Sequence, residues 1–337
     1  MNKALSHTIL FCFCLLFWAG CGAPKTTAIP LSEAHKKFLK ICKEDYALEN
    51  IRLTPLENTV WIYLPIDHDF VNAKATRGGK VTSKEGKEGF AVNYCDVTFK
   101  DEVFSVEYDI SKKRSYAKDL GYGSQNNETF TKKYQNIYAA IMQSYFEIKD
   151  ESLGLELNEE DATFKDAHVI RNYVKDPTAP DFFVIVIANV NNGIILKYTL
   201  YLEDYKRQAM GNFPQEEATM RILNESYGNI NAIDDVEGKF LNVQEILWPD
   251  FLAKQMVNRI NFKFGKSEFA PSEDIASEVM KIAATTLRYY DFTDLASIDL
   301  IDLNTQTTTS ADKAELEEIT ENVDVPSEGK YHVIKFF

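Results

Sequence analysis

The sequence predicts an α+β fold: a mainly antiparallel sheet built from hairpins, with several packed amphipathic helices. Three observations carry this. Two pairs of β-rich runs are each joined by a short turn, at Lys100-Asp101-Glu102 and at Asn191-Asn192-Gly193. One long segment repeats apolar residues at three- and four-residue steps, the period of a helix with one buried face. Strands and helices come in groups without the strict alternation that a doubly wound parallel sheet requires.

Taken in order, Ser32 is placed to cap a helix running to Tyr46, with Leu31, Phe38, Cys42 and Tyr46 near one face. Val60-Trp61-Ile62-Tyr63-Leu64 is β-branched and aromatic and stops at Pro65, which predicts a strand. Asn72 to Gly89 is glycine- and lysine-rich and reads as a loop. Phe90 to Phe99 and Val103 to Ile110 form the first hairpin, and a polar stretch, Ser111 to Asn127, follows.

Phe130, Tyr134, Ile137, Tyr138, Ile141, Met142 and Tyr145 make the strongest helical stripe. At about 1.5 to 3 kcal/mol for each buried side chain, such a stripe is core before it is a ligand site. Lys149 to Thr163 is acidic and irregular. A boundary there would divide the chain into α+β regions 31–150 and 151–337, or the two form one continuous domain. Phe182 to Ala188 is apolar without interruption, as a central strand covered on both faces would be, and Ile194 to Leu202 returns beside it.

Three helices are then punctuated by Pro214 to Gly228, by Pro249 to Gly265 and from Ser272-Glu273-Asp274 onward. The last carries Ile275, Val279, Ile282, Ala283 and Leu287 on its apolar face. Ala296 to Leu303 alternates as a strand, and Tyr331 to Phe337 has the composition of another. No repeat of fixed period is visible.

The leader is a separate matter. Lys3 is followed by an apolar run from Ile9 to Ala19 and then by Ala19-Gly20-Cys21. That run is about half of the ~20 residues a spanning helix needs, so residues 1–20 read as a signal peptide and not as a membrane helix. The ending Trp18-Ala19-Gly20-Cys21 resembles the lipobox of bacterial lipoproteins, with Trp18 where that family usually carries Leu. The resemblance implies that Cys21 is acylated and becomes the first residue, with 21–30 as a lipid-anchored tether. Several acyl chains hold a protein to a bilayer stably at ~0.8 kcal/mol per buried methylene. Gly22, in place of the Asp that often retains family members at the inner membrane, implies the outer membrane in a cell that has one.

The chain carries a formal charge of −14, and removal of the leader takes away Lys3 as well. So acidic a surface repels phosphate, which argues against nucleic acid as a partner. The basic residues concentrate between Lys74 and Lys133, including Lys112, Lys113 and Arg114, while Asp291 to Glu328 holds eleven acids against Lys313. Solvated faces explain this simply, with a loosely ordered acidic tract from Thr305 to Gly329. A sharper reading is an acidic partner for the basic loops.

Chemistry is thin. Of five cysteines, Cys42 and Cys95 remain once Cys12 and Cys14 leave and Cys21 takes lipid, and these two could pair as one disulfide. Asp67-His68-Asp69, after a strand, is the most suggestive catalytic or metal-binding cluster, because an imidazole beside carboxylates can ligate a cation or act as an oriented base. Gly121-Tyr122-Gly123 lacks the third glycine of a dinucleotide fingerprint, and Ser115-Tyr116-Ala117-Lys118 has the S-x-x-K spacing without its companion motifs. His168 and His332 stand alone. No cofactor is implied. The expectation is a membrane-anchored envelope lipoprotein that acts as a non-catalytic binding or assembly module with an envelope protein partner. The alternative is a periplasmic hydrolase or metal-dependent enzyme with catalytic residues dispersed in sequence.

Overall fold

The computed structural model describes residues 31–72, 87–115, 125–152, 169–209, 215–265 and 274–321. The leader, Ser115-Tyr116-Ala117-Lys118 beyond Ser115, Gly121-Tyr122-Gly123, His168 and His332 lie outside them. The fold is α+β, and its two main sheets are mixed: each contains one parallel join among antiparallel pairs.

Helix α1 spans Glu33–Lys40 and continues as a π turn, Ile41–Asp45. Ser32 caps it as expected, with His35 where a capping box usually has glutamate. The Ser32 hydroxyl accepts from His35 N, and His35 Nδ1 accepts from Ser32 N at 3.0 Å. The first sheet follows: β1 (Arg52–Leu56), β2 (Thr59–Ile66), then from later in the chain β9 (Phe182–Asn189), β10 (Ile194–Tyr201) and β11 (Leu223–Gly228), in that spatial order. β2 and β9 lie parallel at its centre and every residue of both is buried. β2 runs one residue past Pro65, because β1 ends opposite Tyr63 and no neighbour on that side needs the missing proline N–H.

The inner face of this sheet, with Ile62, Leu64, Phe183, Ile185 and Ile187, packs on α1 and on α2 (Glu128–Tyr145). Asn127 caps α2, and five of the seven stripe residues are buried, with Tyr134 and Met142 half-buried at the margin. The outer face is covered by irregular chain from 229 to 247. Trp61 donates to Gln244 O at 2.8 Å and Tyr63 to Asp235 O, and Thr59 Oγ1 accepts from Ile246 N at 2.9 Å. Gly238, at φ 73°, is required there: a Cβ would stand 2.8 Å from the Tyr63 ring.

The second sheet has the order β13 (Thr307–Asp312), β12 (Ser297–Asp302), β5 (Val103–Ser115), β4 (Lys87–Lys100). β4 and β5 pair antiparallel around Asp101 and Glu102, both at positive φ, and β5 lies parallel to β12. Helices α5 (Trp248–Gly265), α6 (Ile275–Tyr289) and α7 (Lys313–Thr320) enclose its core. Two small ribbons complete the described strands: β3 (Val71–Asn72) with β6 (Gln125–Asn126), and β7 (Phe146–Ser152) with β8 (Val169–Lys175). The remaining helices are α3 (Leu202–Ala209) and α4 (Gln215–Arg221).

The two sheets share an arrangement. β1 and β2 form a hairpin joined in parallel to the hairpin of β9 and β10, as β4 and β5 are joined to β12 and β13. α2 and α6 precede the second hairpins, and α3 and α7 follow them. The hairpin of the second copy is inserted between β2 and α2 of the first, so the copies interlace and leave no sequence period.

Strands from before and after residue 150 are neighbours in both sheets, and residues 31–337 form one compact unit. Several expectations change. The predicted helix from Pro214 to Gly228 ends at Arg221, and Leu223–Gly228 is an edge strand on β10. Leu303 sits exposed in a turn, and the acidic tract beyond Thr305 forms β13 and α7 as far as residue 321. Strand β5 continues through Lys112 and Lys113 into the stretch expected to be loop. Cys42 and Cys95 are free thiols, one within the first core and the other against the second, so the possible disulfide is not formed. Burial pushes both up to about 12, which leaves them protonated at neutral pH.

Burial also holds the His35 imidazole below its ordinary 6.5, opposed by Asp176. The unfolded chain therefore binds a proton first, and this contribution to stability, present above pH 6.5, is lost as pH falls toward the folded value. His35→Gln keeps a residue suited to the capping box but removes the titration. Chemical denaturation at pH 7 and pH 5 should show a smaller acid-induced loss in His35→Gln than in the wild type. Equal losses would remove His35 from the account.

Candidate functional site

The densest group of buried charge lies where the two sheets' helices meet. Glu217 and Arg221 are one turn apart on α4, so they share a face. Arg221 Nε donates to Glu217 Oε1 at 2.6 Å, and Arg221 Nη1 donates to Asp204 Oδ1 on α3. Arg259 on α5 grips Glu217 from the other side with two bonds, Nη2 to Oε1 at 2.6 Å and Nη1 to Oε2 at 3.2 Å. Tyr290, just past α6, donates its hydroxyl to Asp204 Oδ2 at 2.7 Å.

Each carboxylate thus has both oxygens engaged, and two guanidinium groups balance two carboxylates. Tyr289 lies between the arginines, its ring centre 5.1 Å from Arg221 Cζ and 5.0 Å from Arg259 Cζ. α5 also closes the buried end of α4. Gln255 Nε2 donates to Arg221 O at 2.6 Å and Asn258 Nδ2 to Met220 O at 2.7 Å, satisfying carbonyls that a helix end leaves open.

Burial and pairing compete at each group. Burial lifts the Asp204 carboxyl above its ordinary value against the pull of Arg221 and Tyr290. At Glu217 burial pushes the same way, but Arg259 and Arg221 together outweigh it and hold the carboxyl below the usual range. Arg221 is disfavoured by burial yet held above the ordinary arginine value by Asp204, Tyr290 and Glu217. The cleft beside Asp204, lined by Leu200, Tyr201, Tyr205, Ala218 and Ile222, has room for about one water molecule. Physically, this arrangement is a neutral clamp between α3 and α4 on one side and α5 and α6 on the other.

Asp67-His68-Asp69 is brought to a different place. The run leaves β2 and is tied to the turn between β9 and β10. Asn191 Nδ2 donates to Asp67 O at 2.7 Å, and Asn189 Nδ2 donates to Asp69 Oδ1 at 3.2 Å. His68 Nδ1 stands 3.1 Å from the exposed Asp67 carboxylate, whose value is lowered first by that hydrogen bond. Among the described residues no three His, Cys, Asp or Glu side chains gather as a metal site, and the two asparagine bonds tie the run to the turn.

The same turn carries an apolar surface. Ile194, Tyr227, Ile230, Ile233 and Val236 are all more than 40% exposed, Ile230 by 80%. They lie where β11 ends and β10 begins: Ile194 pairs with Gly228, Asn229 N donates to Gly193 O at 2.8 Å, and the Ile233 side chain approaches Gly193, whereas Tyr227, paired with Ile195, projects from the opposite face of the sheet to Ile194. A tightly tied turn and a three-residue 3-10 helix, Ile230–Ala232, present this ridge. Neither the clamp nor the exposed apolar residues are marked by a sequence motif. The Glu217 to Arg221 spacing was a signal for the first, whereas Asp204, Arg259 and Tyr290 join it only through tertiary packing.

Among the described residues no helix is long and apolar enough to cross a membrane. Comparison with protein-family models, curated proteins and solved structures finds no match.

Removing the Arg221 guanidinium strands the Asp204 carboxylate in a buried site, while Glu217 keeps Arg259. Arg221→Met should therefore cost about 3–5 kcal/mol in urea unfolding. Lys254→Ala, which removes a half-exposed partner of Glu225, should cost less than about 1 kcal/mol. Equal costs would mean that the clamp is no more than a surface ion pair.

Proposed function

We propose that this chain is a membrane-anchored envelope lipoprotein that works as a non-catalytic binding or assembly module. The anchor is Cys21, on the strength of Trp18-Ala19-Gly20-Cys21 and the short apolar run before it. It would hold an acidic folded body against a bilayer outside the cytoplasm through fatty chains, at the outer membrane in a diderm cell.

The observation that carries the binding role is the apolar ridge around Gly193. Single exposed apolar side chains are ordinary, but Ile230 at 80% exposure, with Ile233 and Val236 exposed in the same short segment after a braced turn, supports a protein contact. Asp67 and Asp234, tied to the same turn, make an anionic membrane a poor occupant and favour a protein partner. The buried charges support the same reading, because every carboxylate oxygen of Asp204 and Glu217 is taken by Arg221, Arg259 or Tyr290.

Crosslinking and pull-down of the acylated protein from native membranes test this. Wild type should recover a specific envelope partner, and Ile230→Asp should lose it at least tenfold without a shift in thermal unfolding. Mass spectrometry should find acyl groups on Cys21 at the mature amino end. Undiminished recovery by Ile230→Asp would refute the ridge, and an unacylated amino end would refute the anchor.

A further inference from the structure

Helix α1 begins on a titratable cap. In a capping box the third helical residue is ordinarily Glu or Gln, whose side-chain oxygen accepts from the backbone N–H of the cap. Here His35 takes that place. Its Nδ1 accepts from Ser32 N at 3.0 Å, while the Ser32 hydroxyl accepts from His35 N at 3.2 Å and Ser32 O from Lys36 N at 3.1 Å. An imidazole nitrogen accepts a hydrogen bond only while it carries no proton. The hydrogen of the neutral ring is therefore on Nε2, which is buried and has no hydrogen-bond partner among the described residues.

Protonation breaks this arrangement. A proton on Nδ1 removes the bond to Ser32 N and leaves the Ser32 hydroxyl, at 2.9 Å, which already accepts from His35 N. The new charge stands in the first turn of a helix, where the backbone dipole opposes a cation and Glu33 is the acidic residue of that turn. The inner side of the ring meets neutral groups: Tyr145 of α2 lies edge-on with ring centres 5.8 Å apart, its hydroxyl buried and also unpartnered among the described residues, and the Cys42 thiol of the π turn lies near Tyr145. The charged groups that face His35 are Asp176, in the turn after β8, which attracts an imidazolium, and Lys37 of α1, which stands near Asp176. Burial outweighs Asp176, so the closed turn binds its proton less readily than a solvated histidine does.

We propose that the first turn of α1 is an acid-released latch with His35 as its trigger: the neutral imidazole closes the turn on Ser32, and the imidazolium opens it. In the open turn the ring is solvated and titrates near the ordinary 6.5. The open form thus binds the proton first. As pH falls below 6.5 it gains on the closed form by up to about tenfold per pH unit, until the lowered value of the closed form is reached. The released piece is small: Ala34 and His35 leave the margin of the core, whereas Phe38 and Cys42, fully buried one and two turns further on, stay. Ser32 to His35, passing from a rise of about 1.5 Å to about 3.5 Å per residue, give the chain ahead of Lys36 about 8 Å more reach. This inference goes beyond the lipoprotein reading and stands without it.

Amide hydrogen exchange of the full chain, followed by NMR, tests it at Ser32, His35 and Lys36 after correction for the intrinsic effect of pH. Between pH 7 and pH 5 the protection of these amides should fall at least about threefold in the wild type, while amides of β9 from Phe183 to Ile187 keep theirs. His35→Gln retains an acceptor suited to the box and does not titrate, so its protection should hold across the same range. Nitrogen chemical shifts of the His35 ring should place the proton on Nε2 at pH 7. Unchanged protection in the wild type, an equal fall in His35→Gln, a parallel loss in β9 or a ring proton on Nδ1 would each overturn the proposal.

Discussion

The ladder between β2 and β9 is the constraint on which the other elements depend. The chain leaves β2 at Ile66 and returns as β9 at Phe182, and between these points it must set out the whole β4–β5 hairpin and α2. Both strands are buried along their full length, so neither can hold its conformation until both faces of the sheet are covered. One cover is helical, α1 and α2. The other is irregular chain that has no periodic pattern and is held by hydrogen bonds from Thr59, Trp61 and Tyr63. A parallel pair with this much intervening chain carries a large closure cost, which only extensive apolar burial offsets.

The second sheet repeats the arrangement, and the two meet at a shared aromatic contact and a charged clamp. Phe182, at the start of β9, touches Trp248 and Phe251 of α5 with ring centres 4.9 and 5.0 Å apart. Beside it Asp204, Glu217, Arg221 and Arg259 neutralise one another. A buried ion network adds little net stability over an apolar equivalent, but it punishes any arrangement that separates its members. Its effect here is specificity: α3 and α4 can dock on α5 and α6 in one register, with Tyr289 between the arginines. That rigidity is what a surface turn needs if it is to present an unchanging apolar ridge.

Much of this was legible in the sequence. The unbroken run Phe182 to Ala188 implied a doubly covered strand, and the stripe of α2 and the turn at Asn191-Asn192-Gly193 stand where the pattern put them. The misreadings share a cause. In β11 only Leu223 is buried, and in β13 only Ala311, so neither strand shows alternation, and each is defined by its neighbour's edge. The asparagines that tie Asp67-His68-Asp69 to the turn, Asn189 and Asn191, are remote in sequence and leave no local signal. The clamp was hidden for the same reason, since one helical pair was visible and its three counterparts were not.

Interlacing should make the two sheets one cooperative body. Native-state hydrogen exchange in increasing denaturant measures this directly, by comparing opening free energies for amides of β9 with those of β5 and β12. Interlacing and the clamp predict that the slowest amides of both sheets converge on a single global value. If the amides of β12 opened at a distinctly lower free energy while β9 stayed protected, the sheets would be separate units and the cooperative body would be contradicted.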